Sequence, residues 1–124
     1  MTQSFLEHVN VTVADADHSA ALLANLFDWH IRWSGPARDG GYTVHVGTAD
    51  QYLAVYQPRE GQSHDFPKGV PLKHLAVVVE DLDAVEAKVV TQGLTPFNHG
   101  DYEPGRRFYF FDNNGIEFEV VSYS

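Results

Sequence analysis

Leu6-Glu7-His8-Val9-Asn10-Val11-Thr12-Val13-Ala14-Asp15-Ala16-Asp17 aligns without a gap on Leu72-Lys73-His74-Leu75-Ala76-Val77-Val78-Val79-Glu80-Asp81-Leu82-Asp83, and each copy carries a histidine at its third position. The second copy follows the first by 66 residues, from 8 to 74. Composition alone would place a second histidine opposite His8 about one time in twenty, so the match points to a repeated half-domain. In both copies apolar residues alternate with polar ones and then run into an Asp-rich helix start.

The rest of each half follows the same order. In the first, Asp15 or Asp17 caps a helix through Ala20, Leu23, Ala24 and Phe27. A short strand covers 29–33, and Gly35-Pro36 and Asp39-Gly40-Gly41 supply turns. Strands at 42–47 and 52–57 pair across Thr48-Ala49-Asp50. A polar, Gly- and Pro-rich linker spans 58–71. In the second half a strand covers 72–79. Asp81 or Asp83 then caps a helix through Val85, Ala87, Val89 and Val90, and Gly93 ends it in the left-handed conformation. A short strand falls at 95–98 and a loop at 100–105. Strands at 107–111 and 116–121 follow, separated by the Asp112-Asn113-Asn114-Gly115 turn.

The expected fold class is therefore α+β. Two βαβββ modules, 5–57 and 72–123 of a single domain 1–124, form a half-open curved sheet with helices on its outer face. If His8 faces inward, period-two alternation sends Asn10 and Thr12 the same way. Tyr52, Ala54 and Tyr56 then face inward on the last strand of half one. His74, Ala76 and Val78 do so on the repeated strand, and Glu117, Glu119 and Val121 on the last.

Composition narrows the function. The chain has no cysteine, which excludes a disulfide scaffold, a thiolate zinc site and a cysteine nucleophile. Its net charge is −9 and its only adjacent basic pair is Arg106-Arg107, so nucleic acid is not an expected partner. Neither a signal peptide nor a membrane span is legible, so the expected location is cytoplasmic. Exposed sheet edges in such a fold lead to the expectation of a homodimer.

Two histidines and a carboxylate on neighbouring strands make a facial metal triad with open positions. His8 and His74 are two members, and Glu119, on the strand that ends half two, is the expected third. The ligand types suit Fe, Mn, Ni or Zn and do not choose among them. Tyr109 can donate a hydrogen bond or act as a general acid. Asn10, Tyr52, Tyr56 and His45 are candidate substrate-binding residues.

The chain resembles the vicinal oxygen chelate superfamily, which holds glyoxalases, extradiol dioxygenases, fosfomycin-resistance transferases and bleomycin-resistance proteins. The resemblance runs from Leu6 to Val121. Its carriers are the His8 strand with Asp15-Ala16-Asp17-His18-Ser19, the His74 strand with Asp81-Leu82-Asp83, and Phe108-Tyr109-Phe110-Phe111-Asp112-Asn113-Asn114-Gly115 leading to Glu119. That last run is similar to the family's F-Y-x-x-D-P-D-G, whose ligand Glu follows the Asp by seven residues, as Glu119 follows Asp112. Asn113 and Asn114 stand where the family has Pro and Asp, and both are good turn residues.

The resemblance implies a metal site at His8, His74 and Glu119. Glyoxalase I-like enzymes add a fourth ligand at the position of Ala54, and alanine cannot serve, which weakens an isomerase. Fosfomycin transferases carry an Arg beyond the last strand; this chain ends at Ser124 with few bases expected near the site. Extradiol dioxygenases use a Tyr ten residues before the Glu, matched by Tyr109, and an upstream His, for which His99 is the nearest candidate. The expectation is a metal-dependent enzyme, of dioxygenase or lyase type, on a small vicinal-oxygen substrate. The alternatives are a metal-free drug-binding protein of the bleomycin-resistance type, a glyoxalase I-like isomerase, and a subunit that uses the fold only for assembly.

Overall fold

A computed structural model describes residues 6–37, 40–60, 73–102 and 105–124 of the chain. The chain divides into two compact units, Met1–Phe66 and Pro67–Ser124. Most of the expected linker, from 61 on, lies outside the described residues, as does Leu72.

Unit one runs β1 (His8–Thr12), α1 (Ala16–Phe27), β2 (His30–Pro36), β3 (Tyr42–Gly47) and β4 (Tyr52–Gln57). Its sheet has the order β1-β4-β3-β2. β1 is parallel to β4, with His8 opposite Tyr52 and Asn10 opposite Ala54, and the other pairs are antiparallel. Unit two repeats the plan with β5 (Leu75–Val78), α2 (Leu82–Thr91), β6 (Phe97–Tyr102), β7 (Gly105–Phe111) and β8 (Glu117–Ser122) in the order β5-β8-β7-β6. The two βαβββ modules are thus as expected. Each sheet is open, with two edge strands. Among the described residues no helix is long and apolar enough to cross a membrane.

Each helix starts on the earlier of its two candidate aspartates. Asp15 is extended (φ −139°) and accepts a hydrogen bond from the His18 amide at 3.1 Å. Asp81 does the same for the Ala84 amide at 3.0 Å. Asp17 and Asp83 fall in the first turn, where negative charge suits the helix dipole. α2 ends as expected at Gly93 (φ 82°), whose amide reaches the Val90 carbonyl while Leu94 reaches Val89.

The alternation of each strand decides what is buried. Val44, Val46 and Val55 line the helix side of sheet one together with Ala20, Leu23 and Leu26 of α1, all at most 3% exposed. Phe108, Phe110, Phe118 and Val120 do this in sheet two with Val89 of α2. Phe110 and Phe118 stack at 5.2 Å and 9°. With its apolar residues spent on the helix, each sheet presents its polar and aromatic residues on the opposite face.

Two strands run further than expected. β2 continues through Gly35-Pro36, and β6 includes Gly100-Asp101-Tyr102, which the sequence suggested as loop. Pro36 is tolerated because β2 is an edge strand. Gly100-Asp101-Tyr102 pairs in sequence with Arg107, Arg106 and Gly105, so the Gly/Pro loop is shorter than expected.

Candidate functional site

The helix-free face of sheet two gathers His74, Glu119, Tyr109 and Arg107. Glu119 sits on the central strand β8 and is opposite Ala76 on one side and Tyr109 on the other. His74 lies just before β5, and its Nε2 is 3.0 Å from Glu119 Oε1. Arg107 Nη1 donates to Glu119 Oε2, also at 3.0 Å. The Glu119 side chain is only 10% exposed. The Tyr109 ring meets the His74 ring edge-on at 5.5 Å and 78°. Burial pushes the Tyr109 phenol above its ordinary range, and the charge of Glu119 adds to this, so Tyr109 remains a hydrogen-bond donor well above neutral pH.

The turn that delivers Glu119 is closed by Asp112 and Gly115. Asp112 Oδ1 accepts from the amides of Asn114 and Ile116, both at 2.9 Å, and Gly115 takes the left-handed conformation (φ 81°).

His99 requires a correction. It is absent from this face. The register of β6 against β7 slips between Phe97 and Gly100, so Asn98 and His99 together oppose Phe108. Asn98 adopts a positive φ of 55° to allow it. His99 therefore turns to the helix side, where Nε2 lies 2.6 Å from Glu86 of α2 and its ring stacks on Phe108. Simple alternation cannot anticipate an extra residue in a strand.

In unit one the corresponding face is an aromatic row. His8 stacks on Tyr52 at 4.8 Å, Tyr52 on His45 at 4.5 Å, and His45 meets Trp33 at 5.0 Å. The Arg32 guanidinium lies 4.2 Å from the Tyr52 ring centre. His8 Nδ1 is 2.9 Å from Glu7 Oε1, which also accepts from the Tyr52 hydroxyl at 3.3 Å. The hydrogen bond with His8 holds the Glu7 carboxyl below its usual range. Asn10 shares this face and is exposed, while Ala54, opposite both Asn10 and His45, is 3% exposed. Tyr56 is half-buried on β4, opposite Thr12 and Thr43. His8, Tyr52, His45 and Trp33, an aromatic the sequence offers for drug binding, are thus brought together, with Arg32 as the member the sequence did not single out.

Burial lowers the pKa of His45 below its ordinary 6.5, and the positive charges of His8 and Arg32 reinforce this. The unfolded chain then binds more protons than the folded one as pH falls through that value. Stability should therefore decline below about pH 6.5. His45→Gln should flatten that decline, measured as Tm between pH 7.5 and 5. Equal slopes for the two proteins would show that His45 contributes nothing.

Among the described residues no group of three or more His, Cys, Asp or Glu side chains converges as a metal set. Unit two supplies two expected ligands, His74 and Glu119, in contact. Two ligands at adjacent corners of a coordination shell with bonds of about 2.1 Å stand about 3 Å apart, so this pair has the spacing and the donor types of a divalent-metal site. Arg107 is the residue that sequence reasoning missed. Standing two before Tyr109, it faces the same way, and that period was a usable signal.

Comparison with solved structures places this fold among known ones. A glyoxylase/bleomycin resistance protein/dioxygenase domain from Frankia sp. EAN1pec superposes with a TM-score of 0.81 at 23% identity, covering 98% of this chain and 93% of that one. The antibiotic binding protein TnmS3 from Streptomyces sp. CB03234 gives 0.78 at 20% identity, covering 100% and 99%. The fosfomycin resistance protein FosX from Listeria monocytogenes, complexed with Mn(II) and sulfate, gives 0.74 at 18% identity, covering 99% and 95%. No curated protein sequence matches the chain. The repeated modules, the shared fold and a family model that matches residues 5–120 agree: the chain belongs to the Glyoxalase/Bleomycin resistance protein/Dioxygenase superfamily.

Proposed function

We propose that this protein is a metal-dependent enzyme acting on a small substrate with two adjacent oxygens, through dioxygenase or lyase chemistry. The observation that carries the proposal is the His74–Glu119 pair, 3.0 Å apart with Glu119 nearly buried, and Tyr109 on the same face. His74 and Glu119 would hold the metal, and His8 is the third ligand expected from the repeat. The bound metal would supply Lewis acidity that stabilises negative charge on the substrate oxygens. Tyr109, kept protonated, would donate a hydrogen bond to one of those oxygens. Ala54 cannot act as a base, so proton shuttling of the glyoxalase I kind is disfavoured. That FosX of L. monocytogenes, a protein of the same fold, is seen with Mn(II) supports a divalent cation such as Fe, Mn, Ni or Zn. A homodimer would cover the open sheet edges.

Metal analysis of the purified protein should find one equivalent per chain, and His74→Ala should lower it at least tenfold, because two remaining ligands hold a metal poorly. A His74→Ala protein that keeps its full metal would sink the assignment. The same measurement on His8→Ala tests the third ligand separately.

A second reading rests on the row His8, Tyr52, His45 and Trp33, with Trp33 half exposed. It is a stacking wall of the kind that would bind a planar aromatic drug without metal, and the likeness to the antibiotic binding protein TnmS3 favours it. Quenching of tryptophan fluorescence by such a ligand in the presence of a chelator, from protein that purifies free of metal, would select this alternative.

A further inference from the structure

Asn114-Gly115 lies in the turn between β7 and β8. A glycine after asparagine leaves the side-chain amide open to attack by the next backbone nitrogen, because glycine has no Cβ to block the approach. In this turn both reacting groups are tied down by one residue. Asp112 is buried, and its Oδ1 accepts from the amides of Asn114 and Ile116, both at 2.9 Å. Its Oδ2 accepts from Asn114 Nδ2, the nitrogen that would leave, at 3.3 Å, and Asn113 Oδ1 lies 3.5 Å from the same atom. The Gly115 amide, which must lose its proton before it can attack, donates to the Asp112 carbonyl at 3.2 Å. Asn114 is half-buried and Gly115 exposed, so water reaches the pair as soon as the turn opens.

We propose that Asn114 is a site of spontaneous deamidation and that Asp112 sets its rate by holding the turn closed. When the turn opens, the Gly115 nitrogen loses its proton and bonds to Asn114 Cγ. The Cγ–Nδ2 bond breaks, ammonia leaves, and a cyclic imide remains. Water then opens the ring at either carbonyl. The net change is one water taken up and one ammonia released, with no oxidation or reduction. One product is aspartate at 114. The other is isoaspartate, whose main chain runs through the former side chain and is one carbon longer. Both put a negative charge beside the Asp112 carboxylate where a donor had been, so the turn loses a hydrogen bond and gains repulsion. The longer main chain of isoaspartate also disturbs the register of β8 on β7, which sets Glu119 opposite Tyr109. The modification therefore acts on the helix-free face of sheet two through the turn that leads into β8.

The test incubates wild type and Asp112→Ala at mildly alkaline pH, folded in buffer and unfolded in urea. Amide loss is followed by mass spectrometry of the tryptic peptide that begins at Phe108, whose only side-chain amides are Asn113 and Asn114. Unfolded wild type should lose the amide at 114 well before the one at 113, which no glycine follows. Folded wild type should react at least about tenfold more slowly, because only the open fraction of the turn is reactive. Folded Asp112→Ala lacks the carboxylate bonds that close the turn and should react about tenfold faster than folded wild type, while the two unfolded chains react alike. If Asp112→Ala fails to fold, hydrogen exchange of the Asn114 and Ile116 amides in wild type gives the open fraction, which should match the slowing of deamidation on folding. Equal rates in folded and unfolded wild type, a folded Asp112→Ala that reacts no faster than wild type, or a slowing that does not match the open fraction overturns the role of Asp112. An unfolded chain that keeps its amide at 114 overturns the site itself.

Discussion

Glu119→Gln is expected to abolish divalent-metal binding and to destabilise the protein by about 3 kcal/mol, because it strands an enclosed guanidinium without its counter-charge. Both partners are nearly out of water, so the loss should exceed the 1 kcal/mol or less typical of surface pairs. The double variant Glu119→Leu with Arg107→Met removes both charges and fills the space with apolar groups of similar size. It should recover most of the stability, as replacement of enclosed ion pairs often does, while metal binding stays absent. Urea denaturation of Glu119→Leu, Arg107→Met and the double variant that combines them closes the cycle. A Glu119→Gln protein as stable as wild type would mean that the carboxylate and Arg107 do not hold one another.

Phe110→Ala should cost about 3–5 kcal/mol, the range for removing a fully buried aromatic side chain. Phe110 is 0% exposed, stacks on Phe118 at 5.2 Å and tilts against Phe108 at 6.5 Å. Its neighbours are strand residues held by ladder hydrogen bonds, so the cavity cannot collapse readily. Since domains are stable by only about 5–15 kcal/mol, this one change should consume a large share of the total. The same strand carries Arg107 and Tyr109 on its opposite face, so loosening β7 should also weaken the site. A fall in the urea midpoint corresponding to less than about 1 kcal/mol would show that sheet two does not depend on this stack.

Much of this was legible from the chain itself. The duplicated stretch at 6–17 and 72–83 fixes a repeated strand-to-helix unit, because alternation and helix capping are local and need no distant partner. Turn chemistry placed 42–47 and 52–57 to the residue, and the period of two along the last strand put Glu117 and Glu119 on one face, while Tyr109 was tied to Glu119 only by the family resemblance. The absence of cysteine and the pairing of His8 with His74 by position were likewise available without coordinates.

Only the tertiary structure decided the rest. His99 follows the sheet's register, not its own alternation. One extra residue at Asn98-His99 moves it to Glu86 and the helix. The Arg107–Glu119 pair joins residues 12 positions apart across two strands, and the Tyr52 stack joins β1, β3 and β4. Alternation states which side of a strand a residue occupies. Which residue it meets there depends on how neighbouring strands slide and bulge, and that offset is set by packing of the whole sheet against its helix.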